Sequence, residues 1–424
     1  MNVIKSQSLL EGRLQSIDAL RGVAALGVVL YHAVLRTENA VPNNFFRWPV
    51  RLLQFGSSFG YIGVFLFFVI SGFCIHLQWA KSRAANQPKR IQFGAFWKRR
   101  LRRLYPPYLI AFAVFMLMAA LTAGINVTHF FVYDVVMHLL MLHNLDPHTC
   151  YSINGVFWTL AIEEQLYLAY FLLLFLRTKW GWGPTLAICA LTRIAWFYFS
   201  HAAWVTTGAG IPVPEAAASH WFTWALGALA VEAAFGLIKL PKWCRNLWIG
   251  GLAIVLASAT SVLLPVMQKD SLLKDFAWML MHPVWGLGFF ILVNHVVQAE
   301  QAWFVRRRQP GDVSRMVSRM VSRMARRLVA GAATIGVFSY SLYLTHELVI
   351  MQSWSFVIKG FPQILNALLI VIPATVAFAW VFFKFCEQPY MRKAGEKVER
   401  AEDHRAEEPV QVFSQTIPVV ADEA

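Results

Sequence analysis

The segment IDALRGVAALGVVLYH, residues 17–32, decides the fold class. Ten uncharged, mostly apolar residues separate Arg21 from His32. With its neighbours this run reaches the length of about 20 residues that a helix needs to cross a bilayer. Eleven residues at 100° each exceed three turns by only about 20°, so Arg21 and His32 share one helix face, about 16 Å apart along the axis. The segment predicts a membrane helix with a cation near one end and an imidazole near the other.

Apolar runs of similar length recur along the 424 residues, of which 58% are hydrophobic and only 14% charged. Soluble proteins carry about 25% charged residues. The pattern predicts an all-α integral membrane protein, a bundle of about ten transmembrane helices. The expected spans are 17–35, 58–79, 104–123, 155–176, 184–201, 216–238, 246–266, 275–296, 331–357 and 363–386. The short, partly polar stretch 130–143 is expected to be an interfacial or re-entrant helix.

The 38 lysines and arginines are distributed unevenly among the predicted loops. With the N-terminus inside, 29 of them fall in inner segments and six in outer loops. Basic residues are enriched on the cytoplasmic side of membrane proteins, so both termini are predicted to be cytoplasmic. The same distribution explains the net charge of +15 as a sign of topology. It excludes a nucleic-acid partner and favours membrane lipid, in the plasma (bacterial inner) membrane.

We divide the chain into three parts. These are a cytoplasmic segment (1–16), a transmembrane domain (17–392) and a cytoplasmic, partly disordered tail (393–424). A basic repeat, VSRMVSRMVSRM at 313–324, is expected to lie on the anionic inner leaflet.

Ionisable groups inside membrane helices are costly and mark functional sites. Asp18 precedes Arg21 by three residues, a spacing at which the two side chains can pair. In FWKRRLRRLYPPY, residues 96–108, Arg100 and Arg103 share one helix face just before the third expected span. Guanidinium groups bind phosphate through two parallel hydrogen bonds. The alternative is that these arginines only fix the helix on its cytoplasmic side.

The segment NGVFWTLAIEEQLYLAY, residues 154–170, places two carboxylates in the fourth expected span. Glu163 lies about 12 Å below the start of that span, in the same outer half of the membrane as His32. Adjacent residues point in different directions, so only one of Glu163 and Glu164 is expected to face the interior. The alternative role for this carboxylate is a structural ion pair.

Two further segments carry polar or small residues at helical spacing. In FSYSLYLTHELV, residues 338–349, Tyr340, Tyr343 and His346 follow each other at intervals of three and can form a polar stripe. Hydrogen bonds between helices are the alternative role. In GYIGVFLFFVISGF the small residues allow close helix approach or room for an acyl chain. They are Gly60, Gly63, Ser71 and Gly72.

The outer loop 124–154 contains no lysine or arginine and is rich in histidine. We expect it to line an acceptor site. The histidine spacing matches no metal-ligand pattern, so no metal is expected. The histidines and aspartates of this loop are His129, Asp134, His138, His143, Asp146 and His148.

In this order the segments resemble the membrane-bound acyltransferase-3 family, whose members move acyl groups, often acetyl, onto cell-surface and exported glycans. The resemblance covers most of residues 14–392 and includes the late segment CEQPY. Thr159 and Leu166 depart mildly from the family pattern, which usually has serine and phenylalanine there. The family's functional positions fall on Arg21, His32, Arg100, Arg103, Trp158, Glu163, Tyr167, Tyr340, Tyr343, His346, Glu387 and Pro389.

The resemblance implies acyl-CoA, often acetyl-CoA, as donor and a carbohydrate or glycoconjugate as acceptor. His32 would be the catalytic base, because an imidazole titrates near neutral pH. Arg21 and Glu163 would complete the catalytic group, with Glu163 orienting the imidazole. Arg100 and Arg103 would bind the CoA phosphates. The residues assigned to substrate binding or structural polar contacts are Asp18, Ser71, Trp158, Tyr167, Tyr340, Tyr343 and His346.

Two questions stay open at this point. His32 either removes a proton from the acceptor or carries the acyl group itself. A proton-coupled transporter or flippase is the alternative function, since such carriers also hold ionisable groups in their spans. The chain shows no repeat between its halves, which argues against a carrier built from two related halves.

Overall fold

The structure is a computed structural model that describes residues 14–37, 47–124, 127–207, 213–267, 272–307, 316–353 and 362–391. Within these ranges the chain forms helices and turns and no strand, which confirms the all-helical prediction. Most of segment 1–16 and all of the tail 393–424 lie outside the described residues. The side chains of the basic repeat do so too, except that of Met324.

Fourteen helices organise the described chain. They are α1 (Gln15–Leu35), α2 (Arg47–Ser57), α3 (Gly63–Ala84), α4 (Phe93–Ala123), α5 (His129–Leu139), α6 (Trp158–Trp180), α7 (Trp182–Thr207), α8 (Ala217–Ala234), α9 (Leu247–Leu263), α10 (Leu272–Arg307), α11 (Met316–Val337), α12 (Ser339–Ser353), α13 (Gln363–Asn366) and α14 (Ile372–Phe382). Short 3₁₀ turns occur at Gly60–Ile62, His143–Leu145, Lys242–Arg245 and Leu264–Val266. Two π-helical turns, Ala367–Val371 and Phe383–Glu387, flank α14.

Eight helical segments of the described chain are long and apolar enough to cross a membrane. A ninth arises if the bent pair α11 and α12 counts as one span. Helix α8 coincides with the expected span 216–238, yet its 18 residues include His220 and Glu232, which lower its apolarity. The number ten and the orientation of the termini therefore stay predictions. The 11-residue α5 agrees with the short helix expected at 130–143.

The third expected span starts earlier than the sequence indicated. Helix α4 begins at Phe93 and continues through Pro106 and Pro107 to Ala123. Arg100 and Arg103 therefore lie within the helix and not before it. Because both arginines belong to α4, the helix fixes the positions of their backbones relative to the neighbouring helices.

Close contacts between glycines and carbonyl groups hold the centre of the bundle together. Helix α3 packs most extensively against α8. A Cβ atom on Gly72 would stand 1.9 Å from the Trp224 carbonyl oxygen, and one on Gly227 would stand 1.9 Å from the Val69 carbonyl oxygen. Such separations are impossible for real side chains, so both positions require glycine. The prediction that Gly72 permits close helix approach is confirmed.

Replacing Gly72 by alanine should destabilise the bundle. The added methyl group would clash with backbone of α8, which cannot give way as a side-chain end does, at an expected cost of at least about 1–3 kcal/mol. Thermal unfolding in detergent measures the effect. Gly251→Ala, whose Cβ would meet no atom within 4 Å, is the matched control. Equal melting temperatures for the two variants would contradict the described contact.

A sharp bend separates α11 from α12. The two helices meet at 75° around Phe338. Glu387 holds the start of α12, because its Oε2 accepts hydrogen bonds from the Ser341 backbone N–H (3.2 Å) and hydroxyl (2.5 Å). The Tyr340 hydroxyl donates to the Leu104 carbonyl oxygen of α4 at 2.8 Å. The bend thus brings the first turn of α12 against the helix that carries the arginines.

Candidate active site

The predicted site residues converge on one cavity between α1, α3, α4, α6 and α12. It encloses about 850 Å³ of empty space, part of which is open to solvent. Both the polar and the apolar walls come from several helices, so no single segment defines it. Eight predicted residues line it, namely Arg21, Ser71, Arg100, Arg103, Glu163, Tyr167, Tyr340 and Tyr343.

Three arginines give this cavity its charge. Among the described residues, none of Arg21, Arg100 and Arg103 forms an ion pair with a carboxylate. The guanidinium group of Arg100 lies over the rings of Phe96 (5.5 Å) and Tyr167 (5.7 Å). The Nε of Arg103 is shielded from solvent and has no hydrogen-bond partner in the described structure. Buried donors of this kind are normally satisfied, so the cavity wall is suited to an anion.

Glu163 is the single carboxylate among the residues that line the described cavity. Its Oε1 accepts hydrogen bonds from the hydroxyl groups of Ser71 (2.7 Å) and Tyr167 (2.5 Å). The indole N–H of Trp224 in turn donates to the Ser71 hydroxyl at 3.2 Å. This network fixes the carboxylate on the cavity wall. Because three cations face one carboxylate, the cavity retains an excess of positive charge.

Glu164 is buried as well, although it does not line the cavity. Its Oε1 has no hydrogen-bond partner among the described residues. The expectation that only one member of the pair faces the protein interior is therefore wrong. Adjacent residues of a helix point in different directions, which explains why Glu163 reaches the cavity and Glu164 does not.

His32 lies beyond the cavity, near the other end of α1 from Arg21. Its Nδ1 is 2.9 Å from the Val28 carbonyl oxygen, a contact in which this nitrogen donates. The neutral ring then carries its lone pair on Nε2. That atom lies 4.0 Å from Oε1 of Glu347, whose Oε2 is 3.6 Å from Arg36.

The predicted pairing of Glu163 with His32 is therefore wrong. Glu163 is held by Ser71 and Tyr167, whereas Glu347 is the carboxylate beside His32. Sequence reasoning missed Glu347. The signal was present in the segment THEL, where this glutamate directly follows His346.

His346 stands between the cavity and His32. Its ring centroid is 5.5 Å from that of Tyr343, which lines the cavity, and 5.0 Å from that of His32. The imidazole is fully buried, and its Nδ1 is 2.8 Å from the Tyr343 carbonyl oxygen. Its Nε2 has no partner within the described chain. The Tyr343 hydroxyl accepts a hydrogen bond from Thr159 at 2.7 Å, so this ring is held in place.

Besides His32 and His346, two predicted residues do not line the cavity. Asp18 is buried in the first turn of α1, where its carbonyl oxygen is closely approached by Gly336 of α11. Trp158 begins α6 and packs, half-buried, against the hydrophobic core.

The outer loop differs from its prediction as an acceptor-lining segment. His138 and His143 are fully buried and stack with ring centroids 3.9 Å apart. The Nδ1 of His138 lies 3.1 Å from Oδ1 of Asp134, which also accepts a hydrogen bond from Ser152. These side chains form the interior of the loop, whereas His129 and His148 are exposed.

The stacked histidines make this loop sensitive to acid. Burial lowers the pKa of His143 to about 3 and also lowers the pKa of His138. Below pH 6.5 an opened loop binds protons that the folded loop does not, so its free energy of opening falls as the pH decreases toward 3. Hydrogen exchange over residues 129–157 should be faster at pH 5 than at pH 7.5, after correction for intrinsic rates.

Substitutions at the buried His143 and at the exposed His148 provide the control for the hydrogen-exchange measurement. His143→Leu should weaken the pH dependence, whereas His148→Leu at the exposed position should preserve it. Equal protection at both pH values in the unmodified protein would contradict the burial of the neutral ring.

Comparison with known proteins agrees with this geometry. A family profile described as an acyltransferase domain, of the acyltransferase-3 type, matches residues 14–384. That range contains every helix of the cavity. The chain belongs to the acyltransferase-3 family.

Three relatives illustrate the similarity of this chain to known proteins. The peptidoglycan O-acetyltransferase OatA of Listeria monocytogenes is 30% identical over 190 residues, which cover 41% of this chain and 26% of the relative. Nodulation protein 10 of Rhizobium leguminosarum bv. viciae is 27% identical over 205 residues, or 45% and 52% of the two chains. The O-acetyltransferase OatA of Staphylococcus aureus is 29% identical over 165 residues, or 37% and 24%.

The matches span between about a quarter and a half of the relatives' own length. No solved structure matches the chain.

Proposed function

We propose that the protein is a membrane O-acyltransferase. It takes an acyl group, in the first instance acetyl, from acyl-CoA on the cytoplasmic side and transfers it to a hydroxyl of a cell-surface or exported glycan. The observation that carries the proposal is the cavity with three arginines at one end and Tyr343, followed by two histidines, at the other. Within the described chain these arginines form no ion pair. The names of the OatA relatives support O-acetylation as the reaction.

The positive charge of the cavity would orient the bound acyl-CoA. The CoA phosphates would bind Arg21, Arg100 and Arg103, because guanidinium groups form charge-assisted hydrogen bonds with phosphate. The pantetheine arm would extend along the apolar wall of α3 toward Tyr343. Glu163 positions the wall by holding Ser71 and Tyr167.

Acyl transfer then proceeds at the histidine pair. The Nε2 of His32 takes the proton from the acceptor hydroxyl, and the oxygen attacks the carbonyl carbon of the thioester. As the new C–O bond forms, the C–S bond breaks and the CoA thiolate receives the proton from the imidazolium. His346, one ring closer to the cavity, offers a second unprotonated nitrogen beside the path of the thioester.

An acyl-histidine intermediate would divide the transfer into two steps. First, Nε2 of His32 attacks the carbonyl carbon of the thioester, the C–S bond breaks and CoA leaves as the thiolate. The acceptor hydroxyl then attacks the carbonyl carbon of the acyl-imidazolium and gives its proton to Nε2 of His346, and the C–N bond breaks to restore neutral His32. Radiolabelled acetyl-CoA supplied without acceptor distinguishes the two mechanisms. Label on His32 would establish the intermediate, and its absence favours direct transfer.

Reconstitution into liposomes tests the function. Protein with acetyl-CoA outside and a glycan acceptor inside should release CoA only when both substrates are present, with an acetyl mass added to the acceptor. Movement of the glycan without CoA release would overturn the proposal in favour of the transporter. Mass spectrometry of surface glycans from a deletion strain identifies the natural acceptor.

A further inference from the structure

A group of hydrogen-bond acceptors lies where α1 and α12 meet beyond the cavity. The Nδ1 of His32 donates to the Val28 carbonyl oxygen, so its Nε2 carries a lone pair, and this atom lies 4.0 Å from Oε1 of Glu347. The Nδ1 of His346 lies 2.8 Å from the Tyr343 carbonyl oxygen, to which it donates. The Nε2 of His346 is therefore an acceptor as well. The two imidazole rings are 5.0 Å apart.

Two of these acceptor atoms lack a donor in the described part of the chain. Nε2 of His346 and Oε2 of Glu347 are shielded from solvent and have no hydrogen-bond partner among the described residues. The distance of 4.0 Å between Nε2 of His32 and Oε1 of Glu347 is longer than a hydrogen bond, so these two atoms do not share a proton directly. Buried polar atoms are normally satisfied by a partner. A ligand that fits between these groups must therefore donate hydrogen bonds.

The carboxylate of Glu347 lies beside a cation and close to the protein surface. Its Oε2 is 3.6 Å from the guanidinium group of Arg36, which is too far for a hydrogen bond but close enough to offset the charge. The side chain of His32 is 19% exposed and that of Glu347 17%, so a molecule at the surface can reach both. Neither residue lines the cavity that carries the three arginines. A second substrate can therefore meet His32 here while the donor occupies that cavity.

A pair of neighbouring hydroxyl groups matches this arrangement of acceptors. A single hydroxyl group donates one hydrogen bond, so it can satisfy either Nε2 of His32 or Oε1 of Glu347 but not both. Two hydroxyl groups on adjacent carbon atoms can satisfy both, because their oxygens lie about one hydrogen-bond length apart. A hydrogen bond to a carboxylate is stronger than one between neutral groups. The contact with Glu347 would thus hold a diol with its other hydroxyl directed at Nε2 of His32.

We propose that Glu347 selects a vicinal diol as the acceptor: His32 removes the proton of one hydroxyl, while Oε1 of Glu347 accepts a hydrogen bond from the hydroxyl next to it. The inference rests on the proposed function, since it names the acceptor group of the same reaction. Only the first hydroxyl reacts. Its oxygen forms the bond to the acyl carbon, and its proton passes through Nε2 of His32 to the CoA thiolate, so the second hydroxyl and Glu347 are left unchanged. Glu347 is thus an acceptor-binding residue that favours a sugar hydroxyl with a neighbour over an isolated hydroxyl.

Two alcohols that differ by one hydroxyl group, trans-1,2-cyclohexanediol and cyclohexanol, test this proposal. Release of CoA from saturating acetyl-CoA by the full-length protein in nanodiscs gives kcat/KM for each alcohol. The unmodified protein should prefer the diol by about tenfold or more after correction for its two hydroxyls, the effect of one hydrogen bond to a charged group. Glu347→Ala should lose this preference. The KM of this variant for acetyl-CoA should stay unchanged, which also shows that the variant is folded.

Two further variants make the comparison specific to the carboxylate. Glu347→Gln keeps an acceptor oxygen but loses the charge, so it should retain part of the preference for the diol. Gln352→Ala, at an exposed position further along α12, is the matched control and should keep the full preference.

The outcomes separate the role of Glu347 from the proposed function. Equal kcat/KM values per hydroxyl in the unmodified protein, or a preference that survives in Glu347→Ala, would overturn the role of Glu347 and leave the proposed function intact. Acceptance of a glycan but of neither alcohol would also overturn it, because the diol would then not be the recognised group. If no acceptor raises the release of CoA by the unmodified protein, the proposed function itself fails.

Discussion

Replacing His32 by alanine is expected to lower the rate of acyl transfer by about 10²–10⁴-fold, the range that a general base contributes. The ring is fixed by its Nδ1 contact with Val28, so the unprotonated Nε2 has a defined direction. The alanine variant keeps the helix but loses the one side-chain nitrogen that α1 carries between Arg21 and its end at Leu35. Release of CoA from acetyl-CoA in the presence of acceptor measures the effect.

The exposed His129 provides the control for this measurement. His129→Ala removes an imidazole from the outer loop and should leave the rate unchanged. CoA binding to His32→Ala should also be close to that of the unmodified protein, because His32 does not line the cavity that carries the three arginines. Turnover of His32→Ala at the unmodified rate would remove His32 from the reaction.

Arg103→Gln is expected to raise the KM for acetyl-CoA by about 10- to 100-fold, the equivalent of one or more hydrogen bonds to a charged group. The Nε of this arginine is buried and has no hydrogen-bond partner among the described residues, so a bound phosphate would satisfy it. Glutamine keeps part of the volume and one amide donor, which limits the effect on the fold. Steady-state kinetics with acetyl-CoA as the varied substrate separates KM from kcat.

The neighbouring Arg102 makes the comparison specific. It directly precedes Arg103 in α4 and carries the same charge, but its side chain is exposed. Arg102→Gln changes the net charge equally and should leave the KM within about twofold, the small effect expected of an exposed, screened charge. If both variants raise the KM to the same extent, the arginines act through surface potential and not through the cavity.

The convergence of eight predicted residues on one cavity follows from rules that operate along the chain. Helical periodicity sets which residues share a face, and the order of spans sets their depth. Arg21 and Arg103 are therefore brought to one level, as the distribution of basic residues predicted. The same rules separate Arg21 from His32 along α1. Arg21 lines the cavity, whereas His32 does not.

What the sequence did not predict depends on how helices are rotated against each other. The contact between His32 and Glu347 requires α12 to turn by 75° at Phe338, and nothing in FSYSLYLTHELV signals that bend. The burial of His138 and His143 has the same origin, because their ring contact closes a loop across the turn at Met141. Contacts of this kind between helices arise from packing and do not produce a periodic pattern in the sequence.

The glycine contacts described for α3 and α8 recur between α1 and α11. A Cβ on Gly22 would stand 1.9 Å from the Ala332 carbonyl oxygen, and one on Gly336 would stand 1.8 Å from the Asp18 carbonyl oxygen. Helices whose backbones interlock in this way resist sliding and rotation, which the rocking bundles of carriers require. In the proposed acyltransferase the acyl group would therefore move through a stationary frame, while the helices that enclose it stay in place.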